Sequence, residues 1–107
     1  MVKEFGHFIR RGDVKKQSVD IRLSQATFRE SAERIVLAAH LLRISKPKYA
    51  LENAYELMRE AADALLYADG YKSYSHEASI IYLLENDFSE HDVLEFDRYR
   101  KIRNSIK

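Results

Sequence analysis

Apolar residues recur along this chain at helical spacing. Phe28, Ala32, Ile35, Ala39 and Leu42 follow one another at steps of four, three, four and three. That spacing gathers them on one face and predicts a long helix beginning near Asp20, with Ser18 as its cap. Pro47, in "SKPK", predicts its end, because the residue before a proline is pushed out of the helical conformation. A second stripe of Leu51, Ala54, Tyr55, Met58, Ala61, Ala62 and Leu65 predicts another long helix. Glu52, Glu56, Arg59, Glu60 and Asp63 fall mostly off that stripe, where water can reach them. "ADG" closes the segment, since Gly70 suits the left-handed position just past a helix.

Ser75 predicts the cap of a shorter helix carrying Ile80, Ile81, Leu83 and Leu84. Ser89 predicts the cap of a last one, with Asp92 in its first turn, where a carboxylate favours free amides and the helix dipole. The opening segment, "MVKEFGHFIRRGDVKKQS", holds two glycines and weak periodicity, and reads as an arm over residues 1–17 with room for one short helix. No alternation of apolar and polar residues between turn signals suggests a strand. The expected fold is all-α: one domain, residues 1–107, forming an up-and-down bundle of about four helices packed through short loops.

Composition narrows the function classes. A chain of 107 residues builds a single core and gains from a partner subunit. Its net charge is +1, so a nucleic acid would be drawn only by a local basic patch. The absence of cysteine excludes disulfide and thiolate chemistry and permits a reducing cytoplasm. No apolar run approaches the roughly 20 residues that cross a bilayer, so a cytoplasmic protein without a membrane partner is expected. No glycine-rich phosphate loop is present.

The final ten residues, "RYRKIRNSIK", concentrate charge. Arg98, Arg100, Lys101, Arg103 and Lys107 stand there without a single acid. On a helical wheel Val93, Phe96, Tyr99, Ile102 and Ile106 form one apolar arc. Arg103 falls between Phe96 and Tyr99, and Arg100 falls nearer Val93. Guanidinium groups among core residues are costly unless paired or facing water. Three roles fit: snorkelling outward to water, pairing with carboxylates of the second long helix, or lining a wet groove.

Other polar groups are less specific. "YKSYSH" places Lys72 and His76 among tyrosines and serines, a mixture that nucleic-acid surfaces use. The plainer alternative makes Ser75 a cap and lets Tyr71 and Tyr74 pin the loop to the core. His40 lies off its apolar stripe, as a solvated residue does. His7 and His91 lack ligand-spaced partners, and "HEASI" lacks the second histidine of a helical zinc motif. No metal site and no cofactor are expected. "RRGDVKK" offers cations to a phosphate or simply to water.

From "FIRRGDVKK" through the long helices to "GYKSYSHEASI" and "FDRYRKIRNSIK", the chain resembles a HEPN domain (higher eukaryotes and prokaryotes nucleotide-binding), of the small prokaryotic kind. The resemblance spans nearly the whole chain and rests most on "GYKSYSHEASI" and "RKIRNSI". It implies a helical bundle that forms a homodimer. It also implies one of two functions: a metal-independent endoribonuclease of toxin–antitoxin or defence type, or a catalytically silent module that binds a nucleotide or a minimal nucleotidyltransferase partner. The family's active motif is an arginine, a polar residue such as asparagine, and a histidine after four to six intervening residues. Arg103 and Asn104 match its beginning, and the histidine position falls beyond Lys107. The resemblance thus makes Arg103 the phosphate clamp and Asn104 the residue that orients the substrate or the catalytic side chain. Arg100, Lys107, Lys72 and His76 complete the expected RNA- or nucleotide-binding set. A guanidinium suits the clamp because it presents a bidentate fork to phosphate.

Overall fold

A computed structural model describes residues 4–105. Lys107, one of the expected binding residues, lies outside them. The elements run α1 (Phe5–Arg11), β1 (Val14–Lys16), α2 (Ile21–Arg43), α3 (Pro47–Asp69), β2 (Tyr71–Ser73), α4 (His76–Glu85) and α5 (Glu90–Ser105). The molecule is a predominantly helical bundle, as the hydrophobic periodicity predicts.

The helix ends follow local chemistry. Asp20, not Ser18, caps α2, its side chain accepting the Leu23 amide at 2.9 Å. Ser18 lies too far upstream to reach the first turn. Pro47 opens α3, where its missing N–H costs nothing. Gly70 ends α3 at φ 84°, and a Cβ there would stand 2.8 Å from the Gln17 carbonyl oxygen. Glycine is therefore required twice over, by the backbone conformation and by the close backbone of Gln17.

Two short strands correct the expectation of none. β1 and β2 pair antiparallel, with Val14 opposite Ser73, Lys15 opposite Lys72 and Lys16 opposite Tyr71. The Tyr74 amide extends the ribbon by donating to the Asp13 carbonyl at 2.8 Å. Three residues per strand are too few for alternation to register in sequence, and the pairing joins segments far apart in the chain.

The arm is also more than an arm. Phe5, Phe8 and Val14 are buried in the main cluster with Tyr55, Leu66, Ile81, Tyr82, Val93 and Phe96. The Phe5 ring meets Tyr71 edge-on at 5.1 Å and Tyr82 at 5.3 Å. The Phe5 amide donates to Glu85 at 3.0 Å, and Tyr82 donates to the Asp69 carboxylate. The core therefore sits between α1, α3, α4 and α5.

α2 packs on α3 through small and polar residues instead of through its apolar face. Ser24 donates to the Ala64 carbonyl at 2.6 Å, and Arg34 reaches Glu60 and Asn53, each at 2.7 Å. Partners descend along α3 as they ascend along α2, so the two helices are antiparallel. Glu60 is buried, and Arg34 supplies the cation that a buried carboxylate requires. The stripe that the spacing gathers on α2 points outward: Phe28 is 60% exposed, Ile35 57% and Leu42 63%.

Candidate functional site at the junction of α3, α4 and α5

Ser75 sits in extended conformation just before α4, and its hydroxyl accepts the Ala78 amide at 3.2 Å. That cap makes His76 the first helical residue and aims its ring back between α3 and α5. α3 contributes Tyr55 and Glu56, with Arg59 one turn on. α5 contributes Phe96, Arg100 and Arg103 at steps of four and three, and Asp97 beside them.

His76 is the hub. Its Nε2 lies 3.0 Å from Asp97 Oδ1, its Nδ1 lies 3.4 Å from the Tyr55 hydroxyl, and its ring meets Phe96 edge-on at 4.9 Å. Burial pushes the imidazole below its ordinary value, and the hydrogen bond to Asp97 only partly offsets this. Burial alone would raise Asp97, but hydrogen bonds from Lys101, Arg100 and His76 outweigh it and hold the carboxylate below its usual range. An ionised Asp97 can only accept, so the neutral imidazole carries its proton on Nε2. Nδ1 is then left as an acceptor facing Tyr55. Burial raises the Tyr55 phenol, against the pull of Arg103, so it remains a hydrogen-bond donor near neutrality.

Arg103 lies with its guanidinium carbon 4.3 Å from the centre of the Tyr55 ring. A cation over a tyrosine face at this distance contributes about 0.5–1 kcal/mol. Its Nη1 reaches Glu56 at a long 3.5 Å, and its Nη2 donates to Asn104 Oδ1 at 3.1 Å. Its Nε is buried without a partner among the described residues. Of the roles left open by sequence, the contact with a carboxylate of α3 is the one made here.

Two cavities open beside His76. The larger, about 650 Å³, lies between α4 and α5, with Ile80, Leu84 and Leu94 facing Asp97, Arg100 and Lys101. The smaller, about 290 Å³, is polar, with Tyr55, Arg59, Asp63, Ser73, Ser75 and Ser79 around it.

Of the residues expected from sequence, His76, Arg100, Arg103 and Asn104 come together. Arg100 arrives engaged, its guanidinium 3.2 Å from Asp97. Lys72 lies on the ribbon, its ammonium 5.5 Å from the Tyr74 ring and near enough to Asp63 to pull on its carboxyl. Tyr71 packs on the core as the plainer alternative holds, but Tyr74 is exposed and pins nothing. Sequence reading passed over Tyr55 and Asp97. Asp97 carries a local signal, since it sits three residues before Arg100 and four before Lys101. Its link to His76 joins two helices and leaves none. Among the described residues no three His, Asp or Glu side chains converge to hold a metal ion, and no helix is long and apolar enough to cross a membrane. No known family model, curated protein or solved structure matches the chain.

Proposed function

We propose that this chain is a HEPN-type domain that handles RNA as a metal-independent endoribonuclease, of the kind found in toxin–antitoxin and defence systems. One observation carries the reading. The Arg103 guanidinium, 4.3 Å from the centre of the Tyr55 ring, and a neutral histidine, His76, 3.4 Å from the Tyr55 hydroxyl, are gathered about one tyrosine. Cutting RNA without a metal requires those two functions, positive charge for the crowded phosphate and an acceptor for a proton. Arg103 clamps the phosphate, Asn104 steadies the clamp through its amide oxygen, and Arg100 lines the groove. Lys72, on the ribbon beside Asp63, offers the RNA backbone a further contact.

A second reading is a catalytically silent HEPN homodimer that binds a nucleotide or a minimal nucleotidyltransferase, for which the molecule offers an association surface. The outward face of α2 is a continuous strip of Phe28, Ile35, Val36 and Leu42. Exposed apolar strips of that kind mark association surfaces. The homodimer belongs to both readings, and only the first requires cleavage.

The test is incubation of the protein with total RNA in EDTA, beside Arg103→Ala. Cleavage by the wild type that disappears in the variant supports the endoribonuclease. RNA left intact by both, with binding retained, supports the silent module.

A further inference from the structure

We propose that His76 is the group that takes the ribose 2′-hydroxyl proton when RNA is cut. The proton acceptor is then carried by α4, away from the α5 segment that carries the arginine. The inference rests on the endoribonuclease reading and assigns it a catalytic residue.

Geometry favours His76 in three ways. Asp97 fixes the ring from one side, at 3.0 Å, and leaves Nδ1 as the free acceptor. Tyr55 faces that nitrogen at 3.4 Å, longer than the 2.7–3.2 Å of a well-made hydrogen bond, so a substrate hydroxyl can displace it cheaply. The smaller cavity opens at this side, walled by Ser73, Ser75 and Ser79, polar groups suited to a ribose, and by Arg59 in its pairs with Glu56 and Asp63. The larger cavity, on the Asp97 side, offers Ile80, Leu84 and Leu94 as an apolar floor for a base.

The step balances without a cofactor. The 2′-hydroxyl gives its proton to Nδ1, and its oxygen attacks the adjacent phosphorus. The bond from phosphorus to the 5′-oxygen breaks, and that oxygen takes a proton from water. A 2′,3′-cyclic phosphate and a 5′-hydroxyl result, and the imidazolium returns its proton to solvent. Arg103, 4.3 Å from the centre of the Tyr55 ring, supplies the cation for the charge that builds on the phosphate.

A structural histidine, merely fastening α4 to α5, is the alternative. The groups that face His76 are Tyr55 from α3 and Asp97, Arg100 and Arg103 from α5. Asp97 supports protonation of the ring, and the two arginines oppose it.

The experiment measures RNA cleavage in EDTA across pH for the wild type, His76→Gln and Asp97→Asn. Circular dichroism checks each fold, and a filter assay gives RNA affinity. His76→Gln is expected to lose about 100-fold or more in rate, the scale of general acid–base catalysis, with affinity within about threefold. Asp97→Asn, a positioning change, is expected to slow cleavage and move the acid limb of the pH–rate profile to lower pH. A histidine that only fastens helices leaves that limb in place. Cleavage at the wild-type rate in a folded His76→Gln overturns the inference and leaves the endoribonuclease standing. Should His76→Gln not fold, an acid limb unmoved in Asp97→Asn overturns it as well. No cleavage by the wild type at any pH overturns both.

Discussion

Asp63 stands against Arg59 at 3.1 Å on the wall of the smaller cavity, and burial pushes its carboxyl up to about 6. Because that value lies above the ordinary 3.8, the native state holds the proton more tightly than the unfolded chain does. The stability from this group is fully present below pH 3.8 and is lost as pH rises through about 6. Asp63→Asn mimics the protonated form, so it should raise Tm at pH 7.5 and change it little at pH 4. Paired thermal melts check this, and a lower Tm at pH 7.5 would mean that the bond to Arg59 dominates. His76 runs the other way. Its folded value lies below 6.5, so its contribution is present above that pH and fades as the solution is acidified. Arg103 yields a separate expectation. Glu56 is partly exposed and already bonded to Arg59 at 2.8 Å, so removing Arg103 strands no buried charge. Arg103→Ala should therefore cost about 1 kcal/mol or less, mostly the lost ring contact. Arg103→Lys keeps the charge and loses the fork, so on the endoribonuclease reading RNA binding should weaken while the melting curve stays close to wild type.

Among the elements, α1 departs furthest from what the pattern suggests. Phe8 is 1% exposed, in a helix of seven residues that sequence reads as part of an arm. Phe8→Ala should destabilise the fold by about 3–5 kcal/mol, the usual range for a buried phenylalanine. Urea denaturation measures it, and a loss below about 1 kcal/mol would show that α1 is dispensable. The two long helices α2 and α3 were legible because each repeats its apolar residues over several turns and meets a stop, Pro47 after the first and Gly70 after the second. The ribbon was not, because three-residue strands hold too little pattern and Lys15 meets Lys72 only in the folded chain. The α2 stripe was legible as a face, but spacing cannot tell what covers a face. The site divides in the same way. Arg103 and Arg100 betrayed themselves by interrupting an apolar arc, whereas the His76–Asp97 pair spans 21 residues and two helices and left no periodic trace.

The whole molecule is lopsided. Its core lies among α1, α3, α4 and α5, while α2 lies on α3 by serines and an ion pair and turns its larger apolar side chains to water. A second copy covering that face would bury Phe28, Ile35 and Leu42 together. Each such side chain is worth about 1.5–3 kcal/mol when fully buried. On the homodimer reading, Ile35→Glu combined with Leu42→Glu should therefore give a monomer by light scattering at micromolar concentrations that keep the wild type paired. Helix content should be unchanged, since neither residue supports the core. A wild type that stays monomeric throughout the micromolar range would rule out the homodimer.

The bond from the Phe5 amide to Glu85 closes a loop of 80 residues, and this gives the protein a history as it is made. At the ribosome's pace of about 5–20 residues per second, α1 waits on the order of 4–16 s before the segment that covers it has been synthesised. α2 and α3 need no such wait, because three residues join them and their seam is internal to the pair. The nascent chain thus passes through a stage with a finished hairpin of helices and a bare α1, its Phe5 and Phe8 open to chaperones and proteases. A pause in translation just before α4 would lengthen that stage. The cost of slow codons should then fall on residues 70–80, and silent changes there should alter yield while leaving the purified protein the same.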